Sequence, residues 1–498
     1  MMSTQSNKYL KKLAFLLAAL LLLQVICFSC LWSFSLLNSE RYKFFGFFKK
    51  TGPSSATGLA NYLRKNPNLT QLEKFDALLR HIPGYRTEIN CTNARAGNKE
   101  AIAKAENWRI NSEGWIKDVM TFQDKCAKIR AMFAFPDKPM SQEEADYPLA
   151  YGVLVYKEPL QVYFMLSVFY QPQNQYCVAV DDGSSSEFKD QMDLLDECFP
   201  NIQVKYVNKV KWCDFSVLRA VYRCVKHLTN LKSDWRYYQY LSGFDLPLKT
   251  NLEMVRIFKQ LNGSFNSEIM QFQERLLPQK NLTAPAKLWK SSLSALISRE
   301  SAEFMINNKK THDVYEFLKR TVCPDESLWN TVAGNPKEFV MPGGFDAQAW
   351  LDRIQKEQAT LKFQPIQSTR DPFLRTRRTD YYISRLQSWG FQGDSCNGII
   401  YRLQGESCLS CLIGKFVSDS CAYGVRDLPR LMEAPELVAH KFYFDVQPAT
   451  YFCAYETVRR RALLRHDRGF TAEKYAMLPG PRILSGESID NVTFLRIW

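Results

Sequence analysis

Histidine is scarce in this chain: there are five in 498 residues, and none stands at metal-ligand spacing from another. Beyond the apolar N-terminus only Cys408 and Cys411 are spaced CxxC, with no second pair beside them, which excludes a structural zinc site. A D-x-D metal motif is missing too, since the nearest approach, Asp181-Asp182, lacks the intervening residue. No internal repeat and no nucleic-acid-binding motif is present. With 46% hydrophobic and 13% aromatic residues the composition excludes a disordered chain. Acidic residues are in deficit, 51 against 65 basic ones, for a net charge of +14. Such an excess suits nucleic acid, an anionic membrane surface or a phosphorylated ligand. With no nucleic-acid motif, an anionic membrane surface or a phosphorylated ligand remains.

What is present first is an uncharged run from Leu13 to Leu37. At ~1.5 Å per residue it is long enough, as a helix, to cross a ~30 Å hydrocarbon core. It exceeds a usual signal-peptide core and has no small-x-small cleavage site, so it reads as an uncleaved signal-anchor. Lysines 8, 11 and 12 precede it, and Arg41, Lys43, Lys49 and Lys50 follow, so flanking charge alone does not set orientation. The cysteines do. Of 14, Cys27 and Cys30 lie in the anchor and an even number follows it, as expected in an oxidising lumen. Sequons at Asn68, Asn90, Asn262, Asn281 and Asn491 agree with that address. The expected organisation is a cytosolic tail (1–12), anchor (13–37), stem (38–90) containing TGPSSATG, lumenal catalytic domain (91–470) and C-terminal tail (471–498).

Residues 91–135 have helical periodicity. From Tyr151 the pattern alternates: YGVLVY, helical 160–170, YCVAV at 176–180, helical 187–198, IQVKYV, helical 215–228, and a strand at 237–241. Strand and helix at this interval predict βαβ units and an α/β fold with a mostly parallel sheet. Ligands of such sheets bind beyond the carboxyl ends of the strands. That rule points to Asp181-Asp182, Trp212 and Ser242-Gly243-Phe244-Asp245. Transfer from a UDP-sugar also needs a carboxylate base and positive charge at the diphosphate. Cys323-Pro324-Asp325-Glu326-Ser327-Leu328-Trp329 offers carboxylates, in a pattern that equally begins a helix, with acids near the positive end of its dipole.

Several stretches together identify a family. PLAYGVLVYKE (148–158), FYQPQNQYCVAVD (169–181), YLSGFDLPLKTNLE (240–253), CPDESLW (323–329), CAYGVRDLPRL (421–431), PELVAHKF (435–442) and FCAYETVRRRAL (452–463) occur in the order of one enzyme group. Over Cys91 to Leu464 the chain resembles the core 2 / I-branching β-1,6-N-acetylglucosaminyltransferases, a group related to peptide O-xylosyltransferases. The resemblance implies a GT-A-like domain that transfers a sugar, GlcNAc by family default, from a UDP-sugar in β-1,6 linkage to O-glycans. It implies a type II Golgi membrane enzyme that inverts configuration without a metal or other cofactor. Glu326 falls on the catalytic base. Val155, Tyr156, Asp181, Asp182 and Trp212 fall where the family lines the donor nucleotide, and Lys441 on a lysine that contacts the diphosphate. Glu268, Arg275, Trp389 and Phe391 fall on the acceptor side.

The resemblance further implies disulfides Cys91–Cys453, Cys126–Cys198, Cys177–Cys224 and Cys411–Cys421. It gives no partners for Cys213, Cys323, Cys396 and Cys408, although a bond at Cys323 would brace Glu326. One departure stands out. The family's Arg or His three residues before the Cys421 motif is replaced by Ser418, leaving Lys415, Arg402 and Arg426 as candidates for the missing charge. This departure keeps two alternatives open: an inactive or altered sugar-binding membrane protein of the same fold, and a transferase using UDP-xylose or UDP-glucose. A glycosidase, by contrast, lacks a clear second carboxylate motif.

Overall fold

The computed structural model describes residues 55–498 except 280–281, 361–379, 389–398, 402–419 and 496. The expected anchor lies outside them. Among the described residues no helix is long and apolar enough to cross a membrane.

The alternating pattern becomes a sheet of five strands. Strands β1 (Leu149–Val155), β2 (Gln175–Asp181), β3 (Ile202–Val207) and β4 (Tyr237–Ser242) are parallel, in the order β3-β2-β1-β4. The short strand Leu296–Ser298 closes the β4 edge antiparallel. β1 and β2 read as continuous apolar runs because helices cover both faces of the sheet. Gly152 in β1 is required by its neighbour: a Cβ there would lie 2.3 Å from the Tyr238 hydroxyl.

Each crossover is a helix with a legible start. Pro159–Phe169 carries Pro at its first turn and is buried on every side, its Phe164 ring packing edge-on to Phe452 at 5.0 Å. Ser185 caps Ser186–Cys198, and Asp214 caps Phe215–Thr229. The last of these lays Leu218, Val221, Val225 and Leu228 towards β1 and β2, and Cys224 bonds Cys177 of β2.

Ser55–Trp498 forms one compact unit. The segment expected as a stem is helical from Ser55, and its second helix, Gln71–His81, opens with a Thr70–Glu73 capping box. Phe75, Leu78 and Leu79 of that helix are buried. Tyr85 donates to Glu456 at 2.8 Å, Arg86 pairs with Glu456 at 2.9 Å, and Asp76 pairs with Arg460. The Cys91–Cys453 disulfide fixes the same seam. At the other end Phe494 packs on Trp350 at 5.0 Å and Trp498 on Tyr475 at 4.8 Å. Both flanks therefore contribute to the core.

Candidate active site

The strand order reverses between β1 and β4, and the crevice at such a switch point is where α/β sheets bind ligands. Here it is aromatic and basic. Tyr156, just past β1, is 49% exposed. Its ring meets Phe244 at 5.8 Å, and Phe244 meets Tyr443 at 4.8 Å. The Lys157 ammonium lies 5.4 Å from the Tyr156 ring, 5.6 Å from Phe244 and 5.9 Å from Tyr443. Lys441 lies 5.6 Å from Tyr443. Aromatic faces beside fixed cations suit a base with phosphates attached.

Lys441 reaches this crevice by pairing across a long sequence gap. Strand Val438–His440 runs antiparallel to Asp245–Pro247, with His440 opposite Asp245. His440 Nδ1 lies 2.6 Å from Asp245 and 3.2 Å from the Ser242 hydroxyl, which donates to Asp245 at 2.9 Å. Burial and Arg385 push His440 down to about 4, against the pull of Asp245, so it is neutral at physiological pH. Burial raises Asp245, but His440, Arg385 and the Ser242 N–H outweigh it and hold the carboxyl below its usual range. Lys441 is buried, and burial followed by Arg385 brings it down to about 8. It is a cation at neutral pH with little charge in reserve above it.

The third piece is the loop at Glu326. Pro324–Glu326 forms a single 3-10 turn whose last N–H donates to the Cys323 carbonyl at 3.1 Å. Cys323 is disulfide-bonded to Cys213, and its N–H donates to the Cys213 carbonyl at 3.1 Å. The bond ties the Glu326 loop to the loop bearing Trp212. Glu326 remains 34% exposed and pairs with Lys290 at 3.0 Å. Asp325 is half-buried, with its Oδ1 shielded from solvent and lacking a hydrogen bond. Burial and the adjacent Glu326 carboxylate push it up to about 7, against Lys290 and Arg385.

Arg385 links these pieces. The Leu386 N–H donates to Val438 at 2.7 Å and the His440 N–H to Leu386 at 2.9 Å, setting Arg385 beside the His440-Lys441 strand end. Only 9% exposed, it acts electrostatically on Asp245, His440, Lys441, Asp325, Tyr240 and Tyr382. One buried guanidinium thus acts on both Lys441 and Asp325. Arg426, by contrast, is turned outward to Glu106 at 2.8 Å, while Arg402, Lys415 and Ser418 lie outside the described residues.

The structure divides the other expected residues. Val155 is buried at the end of β1. Asp181 spends Oδ1 on the Gly183 and Val210 N–H groups, at 2.8 and 3.1 Å, shaping the loop after β2. Asp182 turns to Lys189 at 2.8 Å and is 63% exposed. Trp212 is 59% exposed. Glu268 borders the Glu326 region: Asn330 donates to its carbonyl, and its carboxylate acts on the buried Tyr382 hydroxyl together with Arg385. Arg275 is exposed on the turn Glu274–Leu276. Trp389, Phe391, Asn281, Cys396, Cys408 and Cys411 lie outside the described residues. Asn68, Asn90, Asn262 and Asn491 are exposed. Disulfides join Cys91–Cys453, Cys126–Cys198 and Cys177–Cys224, the pairs the resemblance implies. Cys421 is also disulfide-bonded.

Sequence reasoning missed Lys157, Lys290, Arg385 and Tyr443. A signal existed for two of them: Lys290 stands between Leu288-Trp289 and Ser291-Ser292-Leu293, and Arg385 is the one charge in YYISRLQSW. Among the described residues no three His, Cys, Asp or Glu side chains converge to hold a metal ion.

Comparison with known proteins places this geometry. Residues 149–351 match the family model "Branch: Core-2/I-Branching enzyme". A "Beta-1,3-galactosyl-O-glycosyl-glycoprotein beta-1,6-N-acetylglucosaminyltransferase 3" of Rattus norvegicus is 28% identical over 76% of this chain and 84% of its own length. A "Beta-1,3-galactosyl-O-glycosyl-glycoprotein beta-1,6-N-acetylglucosaminyltransferase" of Homo sapiens is 27% identical over 76% of this chain and 87% of its own. The matched region holds the switch point and Glu326, and the longer similarity extends the relation beyond it. Residues 149–351 are accordingly similar to the Core-2/I-Branching enzymes, the family the sequence motifs resemble.

Proposed function

We propose that the protein is a GT-A-like, inverting glycosyltransferase that moves GlcNAc from UDP-GlcNAc in β-1,6 linkage onto an O-glycan, held in the Golgi membrane by residues 13–37. The observation that carries this reading is the cluster in which buried Arg385 acts on both Lys441 and Asp325, the immediate neighbour of Glu326. A half-exposed carboxylate opposite fixed buried cations is the arrangement that proton abstraction and diphosphate departure require.

In the reaction the acceptor hydroxyl oxygen attacks the anomeric carbon of the donor from the face opposite the diphosphate. Glu326 takes the hydroxyl proton, the carbon–oxygen bond to the diphosphate breaks, and UDP leaves with the bonding electrons. Lys441 and Arg385 meet its negative charge, with Lys157 at the crevice mouth, so no divalent ion is called for. Tyr156, Phe244 and Trp212 offer ring faces to the nucleotide, and Glu268 faces the acceptor sugar. Lys290 holds the Glu326 carboxylate until the acceptor arrives. The neutral His440 and ionised Asp245 fix the strand end that aims Lys441.

The deciding assay supplies a panel of UDP-sugars and O-glycan acceptors in EDTA and identifies the product linkage. Transfer that survives EDTA and vanishes in Glu326→Gln is expected; nucleotide binding with no transfer from any donor would overturn the reading.

A further inference from the structure

Away from the crevice, a cavity of about 720 Å³ opens where the N-terminal helices meet the C-terminal helix Pro448–Leu463. Its walls have two chemistries. Ile89, Leu428, Met432 and Leu464 give apolar surface, Arg95 brings a guanidinium, and Arg86 and Arg461 line the wall while also bound to Glu456 and to Glu253. Pyranose rings need both, since their C–H faces are apolar while their hydroxyl and acetamide oxygens accept hydrogen bonds. Asn90 and Thr92 of the sequon Asn90-Cys91-Thr92 line the same cavity.

Asn90 is exposed and caps Cys91–Arg95 through its Oδ1, which accepts from the Asn93 N–H at 3.0 Å. Its Nδ2, the atom a glycan would occupy, is not needed for that cap. Cys91 need not hinder modification either. Its partner Cys453 lies 362 residues downstream, so on the growing chain the sequon emerges well before the disulfide is able to form.

We infer that the cavity seats the first sugars of an N-glycan carried by Asn90, which then closes the seam between the N-terminal helices and Pro448–Leu463. The inference rests on the lumenal address proposed above. Asn68, Asn262 and Asn491, the other described sequon asparagines, do not line this cavity.

The test uses the full chain made in a secretory eukaryotic cell with high-mannose glycans. Native protein is treated with an endoglycosidase that cuts within the chitobiose core, and each site is read by mass spectrometry. The expected result is retention of the glycan at Asn90 and its loss at Asn68, with both lost after denaturation. Thr92→Ala, which removes the sequon but leaves the Asn90 cap, should lower Tm; native deglycosylation of the other sites should not. Occupied Asn68 beside an unmodified Asn90, or equally fast release from both, overturns the inference alone. A chain with no sequon occupied overturns the lumenal address itself.

Discussion

The two sides of the crevice, proposed above to hold the donor nucleotide and the departing diphosphate, are built in different ways. Tyr156, Lys157, Phe244 and Asp245 sit directly after β1 and β4, so the sheet that forms the core also places them. Lys441, Arg385 and Glu326 come from segments far apart in the chain. They meet only because Val438–His440 pairs with Asp245–Pro247, Leu386 bridges Ala439, and Cys213 bonds Cys323. The first side inherits its precision from the core, whereas the second needs its own braces. Changes on the second side should therefore act on kcat, and changes on the first mainly on donor KM.

The largest effect belongs to Glu326. Glu326→Gln should lower kcat by about 10²–10⁴-fold, the range of a lost general base, with donor binding by calorimetry unchanged. Asp325→Asn, one residue away, should leave most activity in place. If both variants lose activity equally, the pair acts as a unit and the assignment of one base fails.

Lys441→Met comes next, costing about 10²–10³-fold in kcat, as for other groups that stabilise developing negative charge. Because Lys441 is brought down to about 8 by burial and then Arg385, kcat/KM should fall on the alkaline side near that value. Arg385→Met removes one of the two causes, so its residual activity should show that limb displaced to higher pH. It should also destabilise the fold by about 3–5 kcal/mol, since a buried charge partner is lost. An unmoved limb would separate Arg385 from Lys441.

Asp325 gives a stability test. Its folded pKa, about 7 through burial and Glu326, lies above the ordinary value near 4. The stability it contributes is complete below about pH 4 and is lost as pH rises through about 7. The advantage of Asp325→Asn over wild type in urea unfolding should therefore grow between those limits. An advantage that is constant with pH would mean the carboxyl is ionised throughout. The smallest effect is expected on the donor side: Trp212→Ala should raise donor KM roughly fivefold, the low end of base–aromatic stacking at about 1 kcal/mol, with kcat unchanged.

The same contrast explains what the sequence disclosed. The β1 to β4 alternation and its crossover helices were legible because continuous apolar runs and helical spacing are local signals; Ser186–Cys198 and Phe215–Thr229 fall within a residue of their expected limits. Crevice residues at strand ends followed from topology. Glu326 and Lys441 were reached through family motifs, since a Pro-Asp-Glu turn or an Ala-His-Lys-Phe strand end says nothing by itself about what it will face. Arg385 stood out as a lone charge, but what it would face, and which cysteine would pair with Cys323, were illegible. Both depend on pairings between segments that share no local pattern, and no motif records them. Within the segment expected as a stem, the helix Gln71–His81 sets Phe75 against Tyr455 at 5.6 Å, a partner hundreds of residues away that no local pattern reveals.

That packing decides where a soluble form of the protein can begin. A protease, or an experimenter, that cuts ahead of Ser55 leaves every helix with its counterpart. A cut at residue 90 would strip away the helices Ser55–Lys65, Gln71–His81 and Tyr85–Glu88, bare the apolar ground they cover and leave Glu456 without Tyr85 and Arg86. Release should yield an active secreted enzyme in the first case and aggregated protein in the second.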